Sequence, residues 1–206
     1  MNPKKVFLGM KEIEFVGHMI SENTISFSKD KIDKVLQIKP PVFGKDLKSF
    51  LGVVVYFKDH IPDFSMKVRV LHKMIHNYDK TRNKKLDWDD ESKLAFENIK
   101  NEVNTLQALY FLDDISPIFL RTDASLYGIG GYLCQIINGI ERPIGFMSKK
   151  LSDTEQRWNT TEKECYAIVK ALDKFYYIIR DRTFTIQTDH KNLTYLDTKN
   201  NPKVRR

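Results

Sequence analysis

The chain has 206 residues and a mass of 24.2 kDa, and 41% of its residues are hydrophobic, which is enough for one or two small domains with cores. Its formal net charge of +7 and pI near 9.2 favour a polyanionic partner, of which nucleic acid is the commonest. No apolar run reaches the ~20 residues of a membrane span and no signal-peptide pattern is present, so we expect a soluble, intracellular protein with no membrane partner. With only Cys134 and Cys165, the chain builds neither a disulfide framework nor a cysteine zinc site.

The first half of the chain begins with a predicted β-hairpin and continues with helices. Residues 5–27 alternate in hydrophobicity, with the turn at 21–23, and Ser28 is placed to cap the helix that follows. Apolar spacing predicts four helices in this half: 28–38, 44–61, 65–77 and 89–105. The polar, lysine-rich residues 77–85 separate the last two helices, and a second linker leads to Ser116-Pro117. We therefore predict a small helical subdomain.

The second half of the chain changes to a β pattern. It predicts three strands, a long amphipathic helix and a fourth strand, in this order: 118–122, 128–137, 143–148, 160–179 and 184–188. Asn138-Gly139 is a strong hairpin signal between the second and third strands. Because the helix crosses over the sheet, the fourth strand should lie parallel to the first and beside it.

Three acidic residues stand where these elements end or begin. Asp123 ends the first strand, Asp189 follows the fourth, and Glu164 lies in the first turns of the helix. Carboxylates that converge repel one another unless cations neutralise them. Oxygen ligands suit Mg²⁺ or Mn²⁺, and pairs of such ions serve phosphoryl-transfer chemistry. The pattern therefore predicts a divalent metal site.

Glu162 competes with Glu164 for the helical position. Glu164 precedes Ile168 by four residues and Ala171 by seven, so it shares the buried face of the helix. Glu162 is rotated toward solvent, where it would interact with the positive N-terminal end of the helix. We predict that Glu164 is the functional residue.

The three acidic signatures resemble the RNase H domain in the reverse transcriptases of Ty3/gypsy-type LTR retrotransposons. They are Arg121-Thr122-Asp123-Ala124-Ser125, Thr160-Thr161-Glu162-Lys163-Glu164-Cys165 and Thr188-Asp189-His190. Upstream segments resemble other parts of the same proteins. Residues 6–9 and 14–21 resemble the primer-grip hairpin that ends the palm, and residues 46–52, followed by 56–57 and 61–65, resemble the thumb. Residues 86–88, followed by 95–96 and 99–100, resemble the connecting segment. The resemblance runs the length of the chain.

This resemblance implies a fold, a domain division and an activity. The fold class is α/β with an α+β N-terminal part: a small helical thumb and connection region, then an RNase H-like mixed β-sheet with a crossover helix, incomplete at the C-terminus. The division is an end-of-palm hairpin at 1–27, the helical thumb and connection at 28–106, and a truncated RNase H-like domain at 107–206. The implied activity is metal-dependent hydrolysis of the RNA strand of RNA/DNA hybrids, within a larger RNA-directed DNA polymerase polyprotein.

The resemblance also implies ligands, partners and a location. Asp123, Glu164 and Asp189 would be both the catalytic residues and the ligands of two Mg²⁺ ions, with Mn²⁺ as a substitute. The partners would be an RNA/DNA hybrid and the remaining polymerase domains, with no small-molecule substrate. The location would be the cytoplasm, in a virus-like particle, or the nucleus. The alternative is a degenerate or domesticated remnant that binds nucleic acid without cutting, because the family's fourth metal-binding acid lies beyond Arg206.

Two further patterns imitate functional motifs. Phe111-Leu112-Asp113-Asp114 imitates the paired aspartates of a polymerase, but it follows the primer-grip and thumb segments instead of preceding them, so we interpret it as an ordinary linker. His72 and His76 are spaced like zinc ligands, but no third ligand is evident and a surface or packing role is favoured. His190 could tune the acidic site or simply pack beside it.

Overall fold

A four-stranded antiparallel sheet opens the fold. The computed structural model describes residues 9–78 and 85–189, without the side chains of residues 77 and 78. The sheet contains, in spatial order, β1 (Glu12–Phe15), β2 (His18–Ser21), β3 (Thr24–Phe27) and β4 (Leu109–Tyr110). The predicted hairpin is confirmed as β2 and β3, and its residues 5–8 lie outside the described residues.

Two features of this sheet were not predicted. β1 joins β2 through a turn at Val16 and Gly17, both of which have positive φ. β4 lies in the stretch predicted to be a linker and pairs with β3. The linker prediction was wrong here because a two-residue strand carries no alternation of its own and forms only by pairing with a distant partner.

Five helices follow the expected order with different boundaries. They are α1 (Lys29–Leu36), α2 (Gly44–Val54), α3 (Phe64–Lys67), α4 (Arg69–Tyr78) and α5 (Asp90–Asn104). The helix predicted at 44–61 ends at Val54 and continues as a 3₁₀ turn, Val55–His60, because a run of β-branched valines is less favourable in an α-helix. The helix predicted at 65–77 breaks at Val68, whose φ of −91° and ψ of −1° leave the helical range and whose side chain is buried.

The residues that precede α1 and α5 differ as helix caps. Asp89 precedes α5 and accepts a hydrogen bond from the Ser92 amide at 2.8 Å, as a capping residue does. Ser28 holds the same position before α1, but its buried hydroxyl has no hydrogen-bond partner among the described residues. Of the predicted linker at 77–85, residues 79–84 lie outside the described residues.

The second sheet has the topology that the sequence predicts. Its elements are β5 (Ile118–Ala124), β6 (Gly128–Ile137), β7 (Ile140–Lys150), α6 (Thr160–Ile179) and β8 (Thr185–Gln187), and the strand order is β7-β6-β5-β8. β5 pairs with β6 in antiparallel fashion and with β8 in parallel fashion. Asn138 and Gly139 both have positive φ, as a tight hairpin turn requires.

Each half of the chain has its own hydrophobic core. The first core joins β3 to the helices and includes Leu47, Phe57 and Phe96. The second lies between α6 and one face of the second sheet. Glycine lets α6 approach closely: a Cβ on Gly131 would stand 3.0 Å from the Cβ of Ala171. The glycine therefore lets α6 pack directly against the sheet, which sets the distance between the helix and the strands.

Direct contacts join the two halves. The Ser65 amide donates a hydrogen bond to the Ser148 hydroxyl at 2.9 Å, and Lys174 of α6 pairs with Asp59 at 2.9 Å. These contacts place α3 and the preceding 3₁₀ turn against β7. The three-part domain division remains a prediction.

Candidate active site

Three carboxylates meet at one edge of the second sheet. Asp123 is the last but one residue of β5, Asp189 follows β8 by two residues, and Glu164 comes from the first turns of α6. One oxygen atom from each carboxylate lies within 4.8 Å of the others. Across 9–78 and 85–189, no other three His, Cys, Asp or Glu side chains are grouped in this way. The structure thus brings together all three predicted site residues.

The fold explains this convergence. β5 and β8 run parallel in register, with Leu120 opposite Ile186, so their C-terminal ends reach the same edge of the sheet. α6 begins beside that edge because a capping box starts it: Asn159 accepts from the Glu162 amide at 2.8 Å, and the Glu162 carboxylate accepts from the Asn159 amide at 3.0 Å.

The capping box also separates the two candidate glutamates. Glu162 is exposed and committed to the helix start, whereas the side chain of Glu164 is only 2% exposed and faces the two aspartates. The structure therefore places Glu164, and not Glu162, beside the two aspartates, and its functional role remains a prediction. The helical phase that places Ile168 and Ala171 in the core carries Glu164 to the same face.

Glu164 is held in an environment that disfavours its charge. One oxygen accepts a hydrogen bond from the Ala124 amide at 3.1 Å, and the other, Oε2, is buried with no partner among the described residues. Burial, followed by the negative charges of Asp123 and Asp189, raises the pKa of Glu164 to about 7. A divalent cation would relieve both the orphaned oxygen and the repulsion, so these residues fit a metal of the oxygen-ligand class.

The loop after Asp123 is closed by a residue that the sequence analysis did not single out. The Ser125 hydroxyl donates to the Gly128 carbonyl at 2.9 Å and accepts from the Gly128 amide at 3.1 Å. This loop fixes the end of β5, which carries Asp123. The serine next to the aspartate in the signature was the available signal, since Ser commonly closes turns through its side chain.

A second polar network supports the start of α6. The Lys149 ammonium bonds the Glu155 carboxylate at 2.8 Å and the Tyr166 hydroxyl at 2.7 Å. The bond from Lys149, with further hydrogen bonds, lowers the pKa of Glu155 to about 2. Lys149 is the last but one residue of β7 and Tyr166 lies two residues after Glu164, so the network ties the sheet to the turn of α6 that carries Glu164.

The other sequence candidates lie elsewhere. Asp113 accepts hydrogen bonds from the Ile115 amide and the Ser116 hydroxyl, at 2.8 and 2.6 Å, in the turn before β5. Asp114 pairs with Arg182 at 2.8 Å, so neither aspartate joins the acidic cluster. His72 and His76 lie exposed on α4, and His190 lies outside the described residues.

The strand order, the crossover helix and the three carboxylates define an RNase H-like domain. Residues 113–206 match the family described as the RNase H-like domain found in reverse transcriptase. The resemblance to Ty3/gypsy-type retrotransposon reverse transcriptases is confirmed by relatives that are transposon polyproteins.

Two of these relatives align over nearly the whole chain. The retrovirus-related Pol polyprotein from transposon opus of Drosophila melanogaster is 30% identical over 204 residues, which cover 95% of this chain and 20% of the relative. The transposon Tf2-3 polyprotein of Schizosaccharomyces pombe is 31% identical over 196 residues, which cover 94% of this chain and 14% of the relative. The chain therefore spans a fifth or less of the length of these polyproteins.

Solved structures share the fold. The foamy viral protease-reverse transcriptase in complex with an RNA/DNA hybrid superposes with a TM-score of 0.73 and 24% identity, over 94% of this chain and 26% of that one. The same enzyme in complex with double-stranded DNA gives the same TM-score and identity, over 94% of this chain and 40% of that one. Among the described residues, no helix is long and apolar enough to span a membrane.

Proposed function

We propose that this chain is the RNase H-type endonuclease module of a retrotransposon reverse transcriptase, which hydrolyses the RNA strand of RNA/DNA hybrids. The observation that carries this proposal is the convergence of Asp123, Glu164 and Asp189 within 4.8 Å at the edge of an RNase H-like sheet. An enzyme that cleaves phosphodiesters in this way needs such a group of carboxylates to hold metal ions.

The three carboxylates would hold two Mg²⁺ ions, with Mn²⁺ as a substitute. When bound, such ions activate a water for in-line attack and stabilise the leaving 3′ oxygen. The Ala124 amide keeps one Glu164 oxygen oriented and leaves the buried Oε2 available as a ligand. Because the pKa of Glu164 is about 7 without a cation, metal binding would release a proton near neutral pH.

The substrate class follows from charge and from the related structures. A net charge of +7 favours the phosphate backbone, and the 2′-hydroxyls in the wide minor groove of a hybrid would distinguish RNA from DNA. The foamy viral enzyme of similar fold was solved with such a hybrid. The other polymerase domains of a longer polyprotein would be partners, in the cytoplasm or the nucleus.

A cleavage assay with two matched variants tests the proposal. The RNA strand of a hybrid is labelled and incubated with the wild-type chain, Glu164→Gln or Glu162→Gln in Mg²⁺ and in Mn²⁺. We expect Glu164→Gln to abolish cleavage, because it removes a metal ligand. Glu162→Gln should retain most of it, because glutamine also serves in a capping box.

The same cleavage assay can also contradict the nuclease proposal. Equal loss in both variants, with folding verified by circular dichroism, would show that the acidic cluster is not the origin of cleavage. If the folded wild-type chain binds hybrid but cleaves it with neither metal, the nuclease proposal is wrong and the chain is a non-catalytic nucleic-acid-binding module.

A further inference from the structure

The loop between β5 and β6 stands beside the acidic cluster. Asp123 pairs with Gly130 across the two strands, and the loop Ser125–Gly128 continues two residues beyond that pair. At about 3.3 Å per strand residue, its tip lies within about 10 Å of Asp123. A group on this loop is therefore within reach of the phosphates that flank a cleaved bond.

Arg69, at the start of α4, reaches this loop from the other half of the chain. Its guanidinium carbon lies 4.3 Å from the centre of the Tyr127 ring, a cation–π contact. Arg69 forms no ion pair with any carboxylate of the described residues, although nine ion pairs occur among them. Met66 packs close to Gly128, where a Cβ would stand 3.0 Å from the Met66 sulfur, so the loop is firmly seated.

Two more basic side chains lie at the same place. Lys150 is opposite Gly128 in the β6–β7 pairing, and the Leu151 amide donates to the Tyr127 carbonyl at 2.9 Å. His72 lies one helical turn after Arg69; although it is exposed, the loss of part of its hydration, followed by the positive charge of Lys150, lowers its pKa. We call Arg69, His72, Lys150 and Tyr127 the seam cluster.

The positive charge of the seam cluster comes from Arg69 and Lys150, and no carboxylate among the described residues forms an ion pair with either. Asp63 also lies at this junction, against Gly130, but it forms no ion pair with Arg69 or Lys150 within the described residues. Like charges brought together repel, and an anion between them would relieve the repulsion. A cation–π contact uses the charge of the guanidinium and not its N–H donors, so a phosphate could accept hydrogen bonds from those donors.

We propose that the seam cluster binds the phosphate backbone of the nucleic acid and positions the strand that enters the acidic cluster. The inference rests on the proposed function and adds to it a composite site, to which the helical half supplies Arg69 and His72 and the RNase H-like half supplies Tyr127 and Lys150. Arg69 and Lys150 are positioning residues, since phosphate contacts set the register of a duplex without reading its sequence.

Hybrid binding measured without metal tests this proposal independently of cleavage. The anisotropy of a fluorescein-labelled RNA/DNA hybrid is followed in EDTA, at several salt concentrations, for the full chain and the variants Arg69→Ala and Lys93→Ala. Lys93 is exposed on α5, and its ion pair among the described residues is with its neighbour Asp90 at 3.6 Å, so its variant removes the same charge away from the seam. We expect Arg69→Ala to weaken binding about tenfold and to lower the salt slope by about one, with Lys93→Ala within about twofold of wild type.

The same binding measurement can also contradict the proposal for the seam cluster. If Arg69→Ala lowers only the melting temperature and leaves hybrid affinity and salt slope equal to those of Lys93→Ala, the seam contact is internal packing and the proposal is wrong. If Arg69→Ala does not fold, Lys150→Gln carries the same test, because Lys150 is exposed. In a steady-state assay with metal, Arg69→Ala should raise KM more than it lowers kcat. Cleavage retained by Glu164→Gln would overturn the proposed nuclease site and leave the binding result standing.

Discussion

Replacing Glu164 by glutamine should stabilise the metal-free protein at alkaline pH. The wild-type side chain is buried against Asp123 and Asp189, and its pKa is raised from an ordinary value of 4.5 to about 7. Between these two values the unfolded chain loses its proton while the folded chain keeps it, so stability falls as the pH rises. Above the folded pKa the full cost is present, and below the unfolded pKa it is absent.

The size of this effect follows from the same pKa. Each tenfold change in proton affinity is worth about 1.36 kcal/mol, so the rise of the pKa from 4.5 to about 7 corresponds to at most about 3–4 kcal/mol. The two exposed aspartates open the cluster to solvent, which screens part of this energy, and we expect about 1–2 kcal/mol. Glutamine carries no charge and can still accept the hydrogen bond from the Ala124 amide.

Urea unfolding in EDTA at pH 4.5 and pH 8 measures the difference. At pH 8, Glu164→Gln should be more stable than wild type by about 1–2 kcal/mol, whereas at pH 4.5 the gap should nearly vanish. The control Glu162→Gln should follow the wild-type pH dependence, because Glu162 lies in the capping box, outside the cluster. Adding Mg²⁺ at pH 8 should stabilise wild type and not Glu164→Gln. A variant that is less stable than wild type at pH 8, or a gap that does not change with pH, would refute this electrostatic account.

Two other predictions concern binding and the fold. Affinity for a hybrid duplex should fall steeply between about 50 and 200 mM salt because the binding acts through phosphates; a flat salt dependence or a strong preference for one base sequence would contradict this. Gln135→Leu should lower the free energy of unfolding by about 2–4 kcal/mol. The fully buried Gln135 side chain accepts a hydrogen bond from the Asp113 amide and donates to the Asp113 and Ser116 carbonyls, at 2.8–2.9 Å, and leucine would leave all three backbone groups unpaired. Urea unfolding checks the second prediction, and a loss under about 0.5 kcal/mol would show that water replaces the side chain.

The second half of the fold was predictable because its signals are local and repeated. Asn138-Gly139 marks a turn, and the 20 residues of α6 keep a helical period long enough to fix the phase of Glu164. The parallel pairing of β5 and β8 then followed from the crossover rule, which brought Asp123 and Asp189 to one edge.

The remainder depends on contacts between residues far apart in sequence. β4 is a strand only because β3 lies beside it. The contact of Arg69 with Tyr127 joins a helix to a loop that lies 58 positions later in the sequence, and no hydrophobic pattern links the two. The break at Val68 depends on how its buried side chain packs in the first core. Such contacts leave no regular pattern in the sequence, so pattern reasoning could not find them.

Measuring Mn²⁺ binding at the acidic cluster tests the central claim most directly. Mn²⁺ is titrated at pH 7.5 into the wild-type chain, Glu164→Gln and Glu162→Gln, and free Mn²⁺ is measured by electron paramagnetic resonance. We expect wild type and Glu162→Gln to bind Mn²⁺ that Mg²⁺ displaces, and Glu164→Gln to lose this binding. Equal Mn²⁺ binding by all three proteins would contradict the assignment of Asp123, Glu164 and Asp189 as a metal site.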